Sequence, residues 1–118
     1  MILIMGLPNA GKTTYSARYD NVLHLDDFGR HKFIKCNREV AKSDGNVVVE
    51  GIYNMKYRRK ELLEALKGKD CKKICIWLDI SREECERRER RGRNVVRYTL
   101  LEAPTYDEGW DEIIHLKE

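Results

Sequence analysis

The stretch that decides the fold reads Gly6-Leu7-Pro8-Asn9-Ala10-Gly11-Lys12-Thr13. It matches the pattern G-x-x-x-x-G-K-[ST], and it follows an apolar run and opens a helical segment, which is where that pattern can work. Glycines let the backbone curl so that successive N–H groups point at phosphate oxygens, and the N-terminal end of the following helix adds positive potential. The stretch therefore predicts a phosphate-binding loop for a nucleoside triphosphate.

The residue types in this loop predict separate roles. Lys12 is expected to reach the β- and γ-phosphates and to be catalytic, and Thr13 is expected to bind Mg²⁺. The other expected nucleotide-binding residues of this segment are Gly6, Asn9, Ala10, Gly11 and Thr14.

Apolar runs and helical patterns alternate along the rest of the chain. Candidate strands span residues 2–5, 22–25, 47–49, 74–78 and 113–116, and candidate helices span 12–19, 55–67 and 81–91. Continuous apolar strands separated by helices are typical of a parallel sheet that is covered on both faces. The prediction is an α/β fold with three α/β/α layers and a five-stranded parallel sheet, the P-loop NTPase fold. The polar segment 30–46 is expected to be either a short helix or a mobile loop.

Length and composition limit the other classes of protein. The chain has 118 residues, which suits one domain, since single domains usually have about 50 to 250 residues. No run approaches the roughly 20 apolar residues that span a bilayer, and the first run is too short for a signal peptide, so we expect no membrane partner and a cytoplasmic location. The four cysteines lack C-x-x-C spacing, so neither zinc nor disulfides are expected.

Acidic residues follow the second candidate strand. Asp26 and Asp27 come directly after its apolar residues, and ligands of open parallel sheets bind at the carboxyl ends of the strands. Phosphoryl transfer to a hydroxyl needs a carboxylate that can accept the hydroxyl proton. Asp26 is therefore the candidate general base, with the alternative that one of the pair only caps a short helix running through Phe28.

Glu50 follows the third candidate strand and precedes Gly51. At a strand's carboxyl end its carboxylate could hold Mg²⁺ through water, as such sites commonly do. The alternative is a solvated charge at the end of a strand.

Arginines cluster near the C-terminal third of the chain. Seven arginines and four glutamates lie between residues 82 and 97, although the net charge of the whole chain is only +3. Pairs such as Glu83 with Arg87 explain much of this pattern as a solvated helix face. Arg87 and Arg91 are the exceptions, because they share one face near Gly92 and could close over a triphosphate. We expect an arginine-rich lid at about residues 81–97, with Arg91 stabilising the transition state.

The chain resembles the polynucleotide 5′-hydroxyl kinase family of P-loop kinases over nearly its whole length. The likeness includes the phosphate loop, His24-Leu25-Asp26-Asp27-Phe28, the lid at 87–92 and, most specifically, Glu102-Ala103-Pro104-Thr105-Tyr106-Asp107-Glu108-Gly109-Trp110. It implies a single kinase domain, 1–118, that uses ATP and Mg²⁺ to phosphorylate 5′-hydroxyl ends of DNA or RNA. GTP is the alternative nucleotide, because the chain ends after the fifth strand, where related kinases continue into a loop that packs on the nucleobase.

The resemblance also implies site residues. Lys12 and Thr13 would hold phosphate and magnesium, Asp26 would activate the acceptor hydroxyl, and Arg91, with Arg87, would clamp phosphates from the lid. The family places an arginine shortly after the aspartate to hold the acceptor phosphate. Here Arg30 is the candidate, with Asp27 as the other acceptor contact.

Two alternatives stay open. Leu25-Asp26-Asp27-Phe28 together with Val49-Glu50-Gly51-Ile52 also resembles the uridine kinase group, which implies a kinase for nucleosides or other small molecules. A nucleotide-dependent switch or ATPase without a small acceptor is the other alternative. A switch would lack a productive base, so loss of the wild-type turnover in Asp26→Asn would argue against it.

Overall fold

One sheet organises the computed structural model, which describes residues 1–90, 92 and 95–117. Its strands are β1 (Ile2–Gly6), β2 (Val22–His24), β3 (Val48–Glu50), β4 (Ile74–Asp79) and β5 (Glu112–Lys117). They lie in the order β2-β3-β1-β4-β5, and every neighbouring pair is parallel. The predicted five-stranded parallel sheet is confirmed.

Helices connect the strands, since neighbouring parallel strands need a crossover connection, which is usually an α-helix. They are α1 (Lys12–Ser16), α2 (Lys32–Lys42), α3 (Lys56–Glu64), α4 (Arg82–Arg87) and α5 (Val95–Tyr98), with 3₁₀ turns at Leu25–Phe28 and Tyr106–Glu108. The predicted helices 12–19, 55–67 and 81–91 all end early. The polar segment 30–46 contains α2, the helix that one of the two alternatives expected. Cys36 and Val40, about one turn apart, are buried on one face of this helix.

The strands are buried from both sides. Leu3 and Met5 of β1 belong to one core cluster, which also contains residues of α2 and α3. Ile4, between them, belongs to a second cluster with residues of α4 and α5. Since successive side chains of a strand point to opposite faces, helices cover both faces of the sheet. The three-layer α/β/α prediction is therefore confirmed.

The segment that resembles the kinase family most specifically is part of the framework. Arg59 of α3 is fully buried, and its Nε and Nη2 donate to the Glu108 carboxylate at 2.7 and 3.1 Å. Glu108 also accepts from the backbone N–H of Thr105 at 2.8 Å and from the indole N–H of Trp110 at 3.2 Å. Burial raises the pKa of Glu108, but these donors outweigh burial and hold it below its ordinary value. Buried hydrogen bonds thus anchor the segment just before β5 to α3.

In the part of the chain that the structure describes, no helix combines the length and the apolarity that crossing a membrane would require.

Candidate active site

The phosphate loop joins β1 to α1, and both of its glycines are required by geometry. Gly11 has a φ of 94°, which lies in the left-handed region that favours glycine. A Cβ on Gly6 would lie 2.8 Å from the Leu78 carbonyl oxygen and 3.2 Å from the Ala10 Cβ. Gly6 therefore lets the loop start in contact with β4, while Gly11 turns the backbone into α1.

Lys12 folds back over the loop. Its Nζ donates to the Leu7 carbonyl oxygen at 2.7 Å. Burial lowers the pKa of Lys12, while the negative charges of Glu50 and Asp26 act in the opposite direction. A nearby phosphate would offset the desolvation of this ammonium group. Lys12 is thus placed where anionic oxygens of a nucleotide would stabilise its charge.

The loop opens onto a cleft of about 790 Å³. Several predicted residues line it together, namely Asn9, Gly11, Lys12, Thr13, Thr14, Asp26 and Glu50. They come together because β1, β2 and β3 are adjacent parallel strands whose carboxyl ends meet at one edge of the sheet. Phosphate-binding groups, a carboxylate base candidate and a metal-ligand candidate therefore share one cavity.

Asp26 faces this cleft as part of an ion pair. Its Oδ1 lies 2.8 Å from the Nζ of Lys32, and its side chain is 87% exposed. The capping alternative is not supported, since the 3₁₀ turn Leu25–Phe28 has no side-chain cap. The sequence did not single out Lys32, which is the first residue of α2. Its one signal is a cation at a helix N-terminus, where the macrodipole disfavours positive charge.

Glu50 lies deeper in the site. It is 8% exposed, which excludes the alternative of a solvated charge at the end of a strand. Its Oε1 lies 2.8 Å from the Nδ1 of His24, its register partner on β2. No role was predicted for His24 from the sequence. Its contact with Glu50 depends on the register between β2 and β3, which the sequence does not show.

The oxygen donors of the cleft suit magnesium. Mg²⁺ binds hard oxygen ligands and usually takes one or two from the protein and the rest from phosphates and water. Thr13 and Glu50 offer such oxygens beside the phosphate loop. Within residues 1–90, 92 and 95–117, no group of three or more His, Cys, Asp or Glu side chains could hold a metal alone. The site therefore fits a metal ion that takes some of its ligands from the protein and the others from a nucleotide and water.

The arginines of the lid differ from the prediction. Helix α4 ends at Arg87, whose guanidinium pairs with Glu84 and does not line the cleft. Arg88 and Arg90 line it instead, and Arg88 Nη1 donates to the Asn9 carbonyl oxygen at 3.1 Å. The structure therefore does not bring Arg87 to the cleft as the sequence predicted. Arg91 lies outside the described residues.

The predicted acceptor contacts are not brought to the cleft. Asp27 and Arg30 are exposed, and neither lines the cavity. Arg30 follows Gly29, whose φ of 62° turns the chain between the 3₁₀ turn and α2. Lys32, two residues later, lines the cleft instead.

Comparison with known proteins gives the fold. No protein-family model matches the chain, and no curated protein matches it. Similar solved structures include the Mycobacterium tuberculosis APS kinase in complex with AMPPNP and APS, and an unliganded sugar kinase from a Janibacter species. The first has a TM-score of 0.65 and 15% identity and covers 97% of this chain and 86% of its own. The second has a TM-score of 0.69 and 16% identity and covers 98% and 83%. At these identities the likeness shows the fold alone, an α/β P-loop fold.

Proposed function

We propose that this chain is a magnesium-dependent phosphotransferase that moves the γ-phosphoryl group of ATP to a hydroxyl of a small molecule. The observation that carries the proposal is the meeting of Lys12, Thr13, Asp26 and Glu50 in one cleft. Phosphoryl transfer is catalysed mainly by positioning and by charge stabilisation. The cleft offers both, together with a carboxylate for the acceptor proton.

Each residue has a distinct part in the proposed reaction. The loop N–H groups and Lys12 bind the β- and γ-phosphates, and Asp26 accepts a hydrogen bond and then the proton from the attacking hydroxyl. Arg88 and Arg90, which line the cleft, stabilise negative charge on the transferred group. Thr13, and Glu50 through water, would hold Mg²⁺, which would supply positive charge to the phosphate oxygens.

The acceptor side favours a small molecule over a nucleic-acid end. The residues that most resemble polynucleotide kinases, 102–110, use Glu108 and Trp110 for internal hydrogen bonds, so they say nothing about the acceptor. Arg30, the candidate for an acceptor phosphate, is away from the cleft. Two of the similar solved structures are an APS kinase and a sugar kinase, and both support a small acceptor.

A polynucleotide 5′-hydroxyl kinase is the second candidate, and Lys32 is the observation in its favour. Its ammonium lies beside Asp26 in the cleft, so a phosphate next to the acceptor hydroxyl could replace Asp26 as its partner. A small acceptor with an anionic group would use the same contact. A switch without an acceptor is the least favoured candidate, because it has no use for a carboxylate at the Asp26 position.

A transfer assay separates these candidates. The protein is incubated with γ-labelled ATP and Mg²⁺ and, in parallel, with sugars, nucleosides, nucleoside 3′-phosphates and 5′-hydroxyl oligonucleotides. We expect label on one of the small acceptors. Label confined to oligonucleotides would establish the second candidate, and label only in inorganic phosphate would favour the ATPase.

A further inference from the structure

His24 pairs with Glu50 but has no part in the proposed chemistry so far. They are the last residues of β2 and β3 and are direct partners in the parallel register. The distance from His24 Nδ1 to Glu50 Oε1 is 2.8 Å, and the two side chains are 34% and 10% exposed. Neighbouring parallel strands place register partners side by side on one face of the sheet, so this contact is built into the fold.

The two partners lie differently with respect to the cleft. Glu50 lines it, and His24 does not. Since a carboxylate only accepts hydrogen bonds, the imidazole must carry its proton on Nδ1 to donate to Oε1. Among the described residues, no other hydrogen bond to the Glu50 side chain is found. His24 therefore holds one carboxylate oxygen from outside the cleft and is the one described residue that hydrogen-bonds to this side chain.

The orientation of Glu50 matters to its surroundings. Among the charges that favour the protonated form of Lys12, that of Glu50 has the largest effect. It is also the carboxylate that fits a magnesium ligand shared with phosphate. Groups that hydrogen-bond to a metal-ligating side chain orient it, and their removal typically lowers metal affinity or activity about 10- to 100-fold.

We propose that His24 is a positioning residue that holds Glu50 in the orientation required for binding the magnesium–nucleotide complex. The inference rests on the proposed function for the role of Glu50. It adds a residue that touches neither nucleotide nor acceptor and acts through its neighbour.

The chain offers a matched control. His115 Nε2 lies 2.7 Å from Asp79 Oδ2, so it too pairs with a carboxylate across adjacent parallel strands, β4 and β5. Neither residue lines the cleft. If a histidine–carboxylate pair only stabilised the edge of the sheet, His115→Ala and His24→Ala would have similar effects.

Two further variants test geometry. The side-chain amide nitrogen of asparagine can take the place of Nδ1, whereas that of glutamine extends toward the place of Nε2. His24→Asn should therefore keep the hydrogen bond to Glu50, and His24→Gln should lose it. The pair also serves if His24→Ala fails to fold, because both replacements are polar and close in size to histidine.

The test measures the rise in melting temperature that ADP produces as MgCl₂ is increased, a readout that needs no phosphoryl transfer. We expect His24→Ala and His24→Gln to need at least about 10-fold more Mg²⁺ to reach half of the maximal rise in melting temperature. His24→Asn and His115→Ala should resemble the wild type. Unchanged magnesium dependence in His24→Ala and His24→Gln, or an equal shift in His115→Ala, would overturn the positioning role alone. A wild type whose nucleotide stabilisation ignores Mg²⁺ would overturn both this role and the proposed function.

Discussion

Asp26 is the residue on which the chemistry of the acceptor depends. It is highly exposed, its partner Lys32 is a flexible side chain, and little folding energy rests on an exposed pair of this kind. Asp26→Asn should therefore fold normally and bind nucleotide nearly as the wild type does. Turnover should fall roughly 10²-fold or more, because the amide cannot accept the hydroxyl proton.

The neighbouring carboxylate provides the control for this prediction. Asp27 is exposed and does not line the cleft, so Asp27→Asn should leave turnover within a small factor of the wild type. Steady-state kinetics of both variants with the same acceptor decide the matter. A large loss in Asp27→Asn with normal Asp26→Asn would show that the base is one residue further along.

Individual site residues differed in how well the sequence revealed them. Lys12, Thr13 and Gly11 follow from local spacing, because a loop of fixed length places them whatever the rest of the chain does. Lys32 and His24 could not be found in this way. Their roles come from contacts between segments, one across a turn and one across two strands.

The end of α4 separates arginines with different expected roles: Arg87 is its last residue, and Arg88 follows it. Arg88 reaches the phosphate loop through the Asn9 carbonyl and lines the cleft, whereas Arg87 is held by Glu84. Arg88→Ala should therefore lower turnover more than Arg87→Ala does. An arginine that stabilises transition-state charge is worth about 10³- to 10⁵-fold in related systems, which is an upper bound for Arg88.

Turnover and nucleotide affinity of these two variants should be compared with those of Arg91→Ala, for which catalytic stabilisation stays a prediction. Equal small effects of Arg88→Ala and Arg87→Ala would show that both arginines are only solvated surface residues. The sequence predicted Arg87 at the cleft, whereas the structure places Arg88 and Arg90 there. Helix ends are the part of an element that sequence patterns locate least well, and α4 ends at Arg87, before the predicted end at residue 91.

The molecule as a whole is held partly by the buried pair of Arg59 and Glu108. Removing one partner of a buried pair leaves an uncompensated charge and costs roughly 3 to 5 kcal/mol. Glu108→Gln should lower the free energy of unfolding at neutral pH by an amount of this order. The cleft residues lie elsewhere, so the activity of the folded protein should change little.

The same pair sets an acid dependence. Because the folded-state pKa of Glu108 is held below its ordinary value of 4.5, its contribution is complete above that value and is lost as the pH falls toward the lowered one. Denaturation of wild type and Glu108→Gln as a function of pH should show a difference that is largest at neutral pH and shrinks below about pH 4.5. A difference that does not change with pH would contradict the charge-based explanation.

The overall architecture was predictable because the phosphate loop, five apolar strands and intervening helices all indicate the same parallel sheet. The acceptor was not predictable. The segment 102–110, which gave the most specific family resemblance, is held against α3 by the buried hydrogen bonds between Arg59 and Glu108. A sequence motif of that kind records the packing of a fold as readily as it records a substrate.

The most direct measurement compares phosphoryl transfer from γ-labelled ATP by wild type, Lys12→Ala and Asp26→Asn, with organic product and inorganic phosphate separated. We expect the wild type to place label on a hydroxyl of an organic acceptor, Lys12→Ala to be inactive, and Asp26→Asn to be reduced roughly 10²-fold. Transfer at wild-type rate by Lys12→Ala, or label found only in inorganic phosphate, would contradict the assignment of this cleft to a kinase.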